Sequence, residues 1–569
     1  MPEVLDSARE VLQAHWGFDQ FRPAQEKVIL AALNGEDVLA VLPTGYGKSA
    51  TFQVPALMSE GTAIVISPLI ALMKDQADDC KKRGIPASYI NSHVSDKEVH
   101  TRFNDLIGGA FKVFYIAPER LSSPSFREAI QLTNVSFIVV DEAHCVSRWG
   151  HDFRPAYSKI KNLVDMVSVD GQRPPIMAVT ATATRDIEAD IMKGCGIEGG
   201  YARIVGDPIR PNLAYKVMQG NPWGNLRVIL KSWDVVNGRY IIYCGTRKGA
   251  EKVALMAEEH LEDGCVGFYH AGMDKDARIK AQNAFKSGEK PVVVATCAFG
   301  MGIDVPNIRS VVHFGIPGSI EDYCQEAGRA GRDGKHSDVI LIADDYSINL
   351  RQMFINFANP PYAVYQHVWE WLHANLDQGE VLTMSGDDIA KEMTKEYGVQ
   401  IEGEQVLAAL STMDAHALVV RRNASGGLNL KIDRDKLKAF IAAGVPNPLL
   451  RKAAEYLHND VLSALSGPNE MNVIVDQATA AECSDMSDST FAKMCELLED
   501  KSVLSVEKSF RGKSTQIAKY GVDLDDVLPR AEIEAKRKRE QARLDYMVGY
   551  TKSPDRIKYI RSYFLGGDE

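Results

Sequence analysis

Five short apolar runs punctuate the first 205 residues: DVLAVLP (37–43), TAIVISP (62–68), FKVFYIAP (111–118), FIVVDEAH (137–144) and IMAVTATA (176–183). Each is almost unbroken in Val, Ile and Leu, and helix-length stretches of mixed character separate them. Strands covered on both faces have this texture, so the pattern predicts a buried parallel sheet flanked by helices. Turn-forming residues in VGDPIRPNLAYKV (205–217) predict a linker. The alternation resumes with RYIIYCG (239–245), CVGFYHAG (265–272), KPVVVATCAFG (290–300), RSVVHFGIP (309–317) and DVILIAD (338–344), which predict a second α/β domain of similar build.

After about residue 350 the period changes. VYQHVWEWLHANL (364–376), SGDDIAKEMTKEYG (385–398, with Ser385 as cap) and EQVLAALSTMDAHA (404–417) read as helices. ALVVRRNASGGLNLKI (417–432) reads as a hairpin with a glycine-containing turn. Three helices and a hairpin predict a winged-helix module, and a weaker second copy runs from about 447 to 519 with a wing at 502–518. The basic stretch EIEAKRKREQARLDYMV (532–548) and SPDRIKYIRSYF (553–564) predict two closing helices. The expected organisation is therefore α/β domains at 1–206 and 207–348, winged-helix-like modules at 349–445 and 446–528, and a basic helix with a hairpin at 529–569.

Chemistry falls directly after the predicted strands, where open α/β sheets place ligands. In LPTGYGKS (42–49), Thr44, Gly45 and Gly47 allow backbone N–H groups to approach phosphates. Lys48 adds charge and Ser49 a hydroxyl for Mg²⁺. Asp141 and Glu142 of DEAH (141–144) are adjacent carboxylates of the kind that hold Mg²⁺ and polarise an attacking water. QEAGRAGRDG (325–334) brings Gln325, a neutral amide, with Arg329 and Arg332, cations suited to a transferring phosphoryl group. Three such elements in this order imply ATP and Mg²⁺ held between two α/β domains.

Composition narrows the class. At 569 residues the chain exceeds a single core, and 45% hydrophobic with 25% charged residues is ordinary for a globular protein. No apolar run is long enough to span a bilayer and MPEVLDSARE lacks a signal-peptide pattern, so a cytoplasmic setting without membrane association is expected. Nine scattered cysteines form no CxxC pair. A net charge of −11 argues against a protein that coats nucleic acid non-specifically, yet leaves room for local basic grooves.

The loop after DEAH makes the pattern specific. DEAHCVSRWGHDFRPAYSKI (141–160) resembles the aromatic-rich loop of RecQ-family DNA helicases, and WGFDQFRPAQEKVI resembles that family's adenine motif. SPLIALMKDQ (67–76), YIAPERL (115–121), AVTATAT (178–184), IRPNL (209–213), FYHAGM (268–273), ATCAFGMGIDVPNIR (295–309) and YCQEAGRAGRDG (323–334) follow the family in order, over roughly residues 8–345. The resemblance implies that Phe18, Arg22 and Gln25 take the adenine base, and that Asp304 couples the second domain to nucleotide. It assigns Ser67, Trp149, Phe153, Arg154, Thr246 and Thr296 to DNA, with Thr180 and Thr182 between nucleotide and DNA sides. Aromatic faces and guanidinium planes suit single-stranded DNA because they stack without reading sequence. Two departures stand out: Phe18 replaces the family's usual tyrosine, and Leu42 replaces the first glycine of the strict phosphate-loop pattern.

The end of the chain departs further. YMVGYTKSPDRIKYIRSYFLGG (546–567) resembles part of the helical hairpin that precedes a four-cysteine zinc site in many RecQ proteins, but Asp555 stands where the first cysteine would fall. Cys483 and Cys495 are too isolated to supply the site, so no structural zinc is expected. Phe510–Arg511 is a candidate wedge at a duplex junction, and Lys536–Arg543 a candidate phosphate track. The resemblance implies an ATP-dependent enzyme moving 3′→5′ on single-stranded DNA and unwinding duplexes in repair, recombination or replication, with protein partners a further role for the winged-helix-like region. An RNA helicase, or a DNA-stimulated ATPase that never separates strands, are the alternatives.

Overall fold

Burial on both faces is what the apolar runs achieve. The computed structural model describes residues 2–566 apart from 69, 92–93, 148–153, 169–171, 182, 184, 301–304, 378–379, 399, 424–426, 464–469, 477–479, 482 and 508–512. The first sheet is built from β1 (Val38–Val41), β2 (Thr62–Ile66), β3 (Ala87–Ile90), β4 (Val113–Ile116), β5 (Val135–Asp141), β6 (Ile176–Thr180) and β7 (Ala202–Val205). All seven run parallel, in the order β3-β4-β2-β5-β6-β1-β7. Alternate residues feed opposite faces. Leu39, Val41, Ile64 and Ile66 enter one core, while Val38, Ala40, Ala63 and Val65 enter the other. Each large aliphatic side chain buried this way contributes about 1.5–3 kcal/mol.

This order sets the ends of β1, β6 and β5 side by side. The phosphate loop leaves β1, DEAH leaves β5, and Thr180 closes β6 between them, its carbonyl accepting the Leu42 N–H at 2.8 Å. Topology therefore gathers residues about a hundred positions apart in sequence.

A second sheet contains β8 (Leu213–Gln219), β9 (Arg239–Cys244), β10 (Val266–Tyr269), β11 (Val292–Ala295), β12 (Ile308–Phe314) and β13 (Ser337–Ala343). Its six strands are parallel in the order β10-β11-β9-β12-β13-β8. The linker expected over 205–217 is corrected here, because residues 213–219 form edge strand β8 along β13. Only its first residue is buried, so the segment lacks the apolar run that marks the inner strands. Short β3 and β7 escape the same criterion.

Two units divide the chain: Met1–Arg351 with Ala542–Glu569, and Gln352–Gln541. In the second, helices Tyr362–Asn375, Gly386–Tyr397 and Gly403–Ala415 form where their apolar spacing places them. Ser385 caps the second of these, accepting the Asp388 N–H at 3.1 Å.

The hairpin expected over 417–432 does not form. Strand β14 (Val419–Asn423) and strand β15 (Gly427–Asp433) belong to different sheets. With β16 (Glu470–Asp476), β17 (Leu504–Glu507) and β18 (Lys513–Ile517), the pairing is β14 with β18, and β15 with β16 and β17. Leu382 bridges Thr515 at the edge of the first pair. The first module thus closes on itself through β18, and the second, β15 to β17 with helices Arg434–Ala442, Pro448–Tyr456 and Asp488–Asp500, is inserted within it. Separate cores confirm the nesting: Trp371, Met413 and Leu418 share one with Ile517, Leu524 and Leu528, whereas Leu430, Leu437, Phe491 and Leu504 share another. A boundary at 445/446 therefore cuts the inserted module.

Helices Arg530–Lys552 and Arg556–Leu565 close the chain, and Asp555 caps the last one by accepting the Lys558 N–H at 2.9 Å. Among the described residues no helix is long and apolar enough to cross a membrane.

Candidate functional site

Two glycines bend the phosphate loop. Gly45 (φ +79) and Gly47 (φ +86) occupy the left-handed region, which side chains rarely adopt. A Cβ on Gly47 would also lie 2.6 Å from Gln25 Nε2. That amide is the loop's brace: it donates to the carbonyls of Tyr46 at 2.9 Å and Gly47 at 3.0 Å, while Gln25 Oε1 accepts the Arg22 N–H at 2.9 Å. The Arg22 guanidinium donates to the Gly45 carbonyl at 2.9 Å and lies 5.1 Å from the Tyr46 ring centre. The adenine motif and phosphate loop are thus one hydrogen-bonded assembly. Phe18, 64% exposed, joins Trp16, Arg22, Gln25, Gly47 and Ser49 around a cavity of about 380 Å³.

Asp141 ends β5, and Glu142 then turns through φ +47, which sends two neighbouring carboxylates into different surroundings. Such a turn costs about 1–3 kcal/mol in a residue with a side chain, and is kept where function needs it. Buried Asp141 accepts the Ser67 hydroxyl on Oδ2 at 3.2 Å and the Glu142 N–H on Oδ1 at 3.0 Å. The Tyr157 hydroxyl donates to the Asp141 carbonyl at 3.0 Å. Glu142 lies 3.7 Å from Lys48 Nζ and 3.4 Å from His144 Nδ1, and that nitrogen is 2.9 Å from Thr180 Oγ1. A polar chain therefore runs from Lys48 through Glu142 and His144 to the end of β6.

Burial, then the neighbouring Glu142 charge, raise the Asp141 carboxyl above its ordinary range, with Lys48 pulling the other way. A cation beside it would restore the ionised form. Ser49 and Asp141 fit the sparse protein ligation of Mg²⁺, which leaves remaining positions to phosphate and water. Among the described residues no group of three or more His, Cys, Asp or Glu forms a metal cage.

The opposing residues come from the turn after helix Ile320–Ala327, on which Gln325 is half-buried. Arg329 is buried and donates to the Gly300 carbonyl. Arg329 thus meets a carbonyl of its own domain, and Arg332, three residues on in the same turn, is half-buried. The turn meets the phosphate loop, since a Cβ on Gly328 would lie 2.7 Å from Thr44 Cβ.

The residues expected at DNA separate into groups. Ser67 is fully buried, and its hydroxyl is directed at Asp141. Arg154 donates to the Pro68 carbonyl at 2.8 Å and ties the segment after DEAH to the loop after β2. Thr246 follows β9 and accepts the Gly249 N–H at 3.0 Å, capping helix Arg247–Glu258. Thr296 follows neighbouring β11, half-buried, its N–H donating to the Tyr269 carbonyl at 3.2 Å. Trp149, Phe153, Thr182, Asp304, Phe510 and Arg511 lie outside the described residues. Spacing alone does not reveal Arg210, which the fold places against the turn carrying Arg329 and Arg332.

Comparison with known proteins agrees with this geometry. The DEAD/DEAH box helicase model matches residues 22–189 and the Helicase conserved C-terminal domain model residues 225–334. The chain is 43% identical over 358 residues to ATP-dependent DNA helicase RecQ of Bacillus subtilis, covering 62% of this chain and 58% of the relative. It is 40% identical over 369 residues to the Haemophilus influenzae RecQ, covering 64% and 58%. With Probable ATP-dependent DNA helicase RecS of Bacillus subtilis it shares 36% identity over 353 residues, covering 62% and 70%. The chain thus spans little more than half the length of the two RecQ relatives. A solved structure of Mss116p bound to ssRNA and AMP-PNP superposes with a TM-score of 0.51 at 18% identity, covering 73% of this chain and 89% of that one, a likeness of fold alone. With its motifs on two parallel sheets and its match to RecS, this chain belongs to the RecQ family of helicases.

Proposed function

We propose that this chain hydrolyses ATP to move 3′→5′ along single-stranded DNA and to unwind duplexes. The observation that carries the reading is the meeting of the phosphate loop with the Gly328 turn, beside Lys48 and the Asp141–Glu142 pair. Phe18, Arg22 and Gln25 hold the base, and Lys48 the terminal phosphates. Ser49 and Asp141 would hold Mg²⁺, which would supply charge neutralisation at the phosphates. Glu142 orients and deprotonates the attacking water, and Arg332 stabilises the charge that develops during transfer. The His144–Thr180 contact links that carboxylate to the end of β6. Trp149, Phe153 and Arg154 grip unstacked bases, while Thr246 and Thr296 hold the backbone. Motor domains at 1–206 and 207–348 alternate their grip as ATP closes and hydrolysis reopens them. The direction rests on the family resemblance.

The test is ATPase activity with single-stranded DNA, single-stranded RNA or neither. Stimulation of at least about tenfold by DNA alone is expected, whereas equal stimulation by RNA would favour an RNA motor. A second reading has its own support: acidic residues outnumber basic ones across Gln352–Gln541, a poor balance for gripping duplex phosphates. In it the accessory modules bind protein, and the motor runs on DNA without separating strands. ATP hydrolysis with no unwinding of a forked duplex would select it.

A further inference from the structure

Arg210 lies between β7 and β8, buried, with both terminal nitrogens directed at one turn of the second motor domain. Nη2 donates to the carbonyl of Gly328 at 3.0 Å and to that of Ala330, and Nη1 reaches the carbonyl of Gly331 at 3.4 Å. Asn212, two residues on, donates to the same Gly331 carbonyl at 2.8 Å and to Lys335 at 2.9 Å. These carbonyls belong to the turn that carries Arg329 and Arg332.

The other side of the guanidinium faces the phosphate loop. A Cβ on Gly45 would lie 3.2 Å from Arg210 Nη1 and 3.5 Å from the Gly328 carbonyl oxygen. Arg210 therefore occupies the seam where the phosphate loop and the arginine turn meet. Among the described residues it forms no ion pair; the charged groups facing it are Arg332 and Arg22, with Tyr215 alongside. Burial first brings its pKa down to about 10, with Tyr215 opposing the fall and the Arg332 and Arg22 charges adding to it. A guanidinium fits this place because its planar fork satisfies several carbonyls at once, which a single ammonium cannot do.

Resting on the proposed ATPase reading, we infer that Arg210 is a positioning residue: by clasping the carbonyls of Gly328, Ala330 and Gly331 against the phosphate loop, it sets Arg332 for phosphoryl transfer. It acts through the turn and not on the nucleotide, so its contribution belongs to the transition state. Ground-state binding of nucleotide does not depend on it.

The experiment uses the full chain with two variants, R210A and R210K. Affinity is measured for ADP with Mg²⁺, and for ADP with Mg²⁺ and aluminium fluoride, which mimics the transferring phosphoryl group. Both variants are expected to keep ADP affinity within about twofold. Both are expected to lose at least about tenfold for the fluoride complex and in DNA-stimulated kcat, since the interaction acts only in the transition state. In a double-mutant cycle, R210A added to R332A is expected to cost little further, because both act through one group. Unchanged fluoride affinity, equal loss of both complexes, or multiplicative effects in the cycle would overturn the inference. Full activity in R210K would overturn it too, by reducing the role to charge. If circular dichroism shows R210A unfolded, R210K decides alone. A wild-type protein with no ATPase activity above that of E142Q would instead sink the underlying reading.

Discussion

Gly47 meets two demands at once, a left-handed φ of +86 and room for the Gln25 amide 2.6 Å from where its Cβ would stand. The backbone demand alone costs about 1–2 kcal/mol for an L residue, and the clash would displace the brace. Gly47→Ala should therefore weaken ATP binding at least about tenfold by calorimetry; a Kd within twofold of wild type would contradict the role given to this brace. Ser67 offers a sharper test of assignment. Its hydroxyl is one of two donors to the Asp141 carboxylate, and a hydrogen bond to a charged group contributes about 1.5–3 kcal/mol. Ser67→Ala should raise the Mg²⁺ concentration needed for half-maximal ATPase several-fold and leave single-stranded DNA affinity unchanged. The reverse pattern would keep Ser67 on the DNA track. Sequence made Lys48, Asp141, Glu142 and Gln25 legible because their chemistry is tied to short local motifs. It could not orient Ser67, whose partner is 74 residues away, or give Arg210 a role, since its acceptors lie 118 to 121 residues downstream.

Elements that are apolar on both faces were readable by period, and the inner strands of both sheets fall where those runs lie. Edge strand β8 was hidden because only its first residue is buried, so it carries no continuous apolar run. The nested modules were hidden for another reason: β14 and β15 look like a hairpin locally, and only pairing with β18, about 90 residues on, separates them. Nesting has a consequence. If β14–β18 closes the first module, replacing residues 427–507 with a short Gly-Ser connector should leave its helical signal and cooperative melt intact. Loss of both would show that the two modules fold as one. The final helix makes a different prediction. Arg561 meets Asp207 at 3.1 and 2.6 Å. Burial works against the Asp207 charge, but Arg561 and the Ile209 N–H outweigh it and hold the carboxyl below its usual range. A carboxyl lowered in the folded state adds stability in full above its unfolded value near 4. That stability is lost as pH falls through the folded pKa. The pair is partly exposed, so its contribution is at most about 1 kcal/mol. The Tm difference between wild type and Arg561→Ala should narrow from pH 7 to pH 3, and a constant difference would exclude the charge pair.

For the whole molecule, family membership and the ATP-site geometry point to a motor, while the acidic balance of the Gln352–Gln541 unit supports the reading in which its attachment binds protein. The two views meet in one measurement, unwinding of duplexes bearing a single-stranded tail of either polarity, with wild type and Glu142→Gln in parallel. Strand separation from the 3′-tailed duplex alone, dependent on ATP and Mg²⁺ and absent in Glu142→Gln, is the expected result. Separation from the 5′-tailed duplex, equal activity in Glu142→Gln, or no separation by a wild-type protein that hydrolyses ATP would contradict the account.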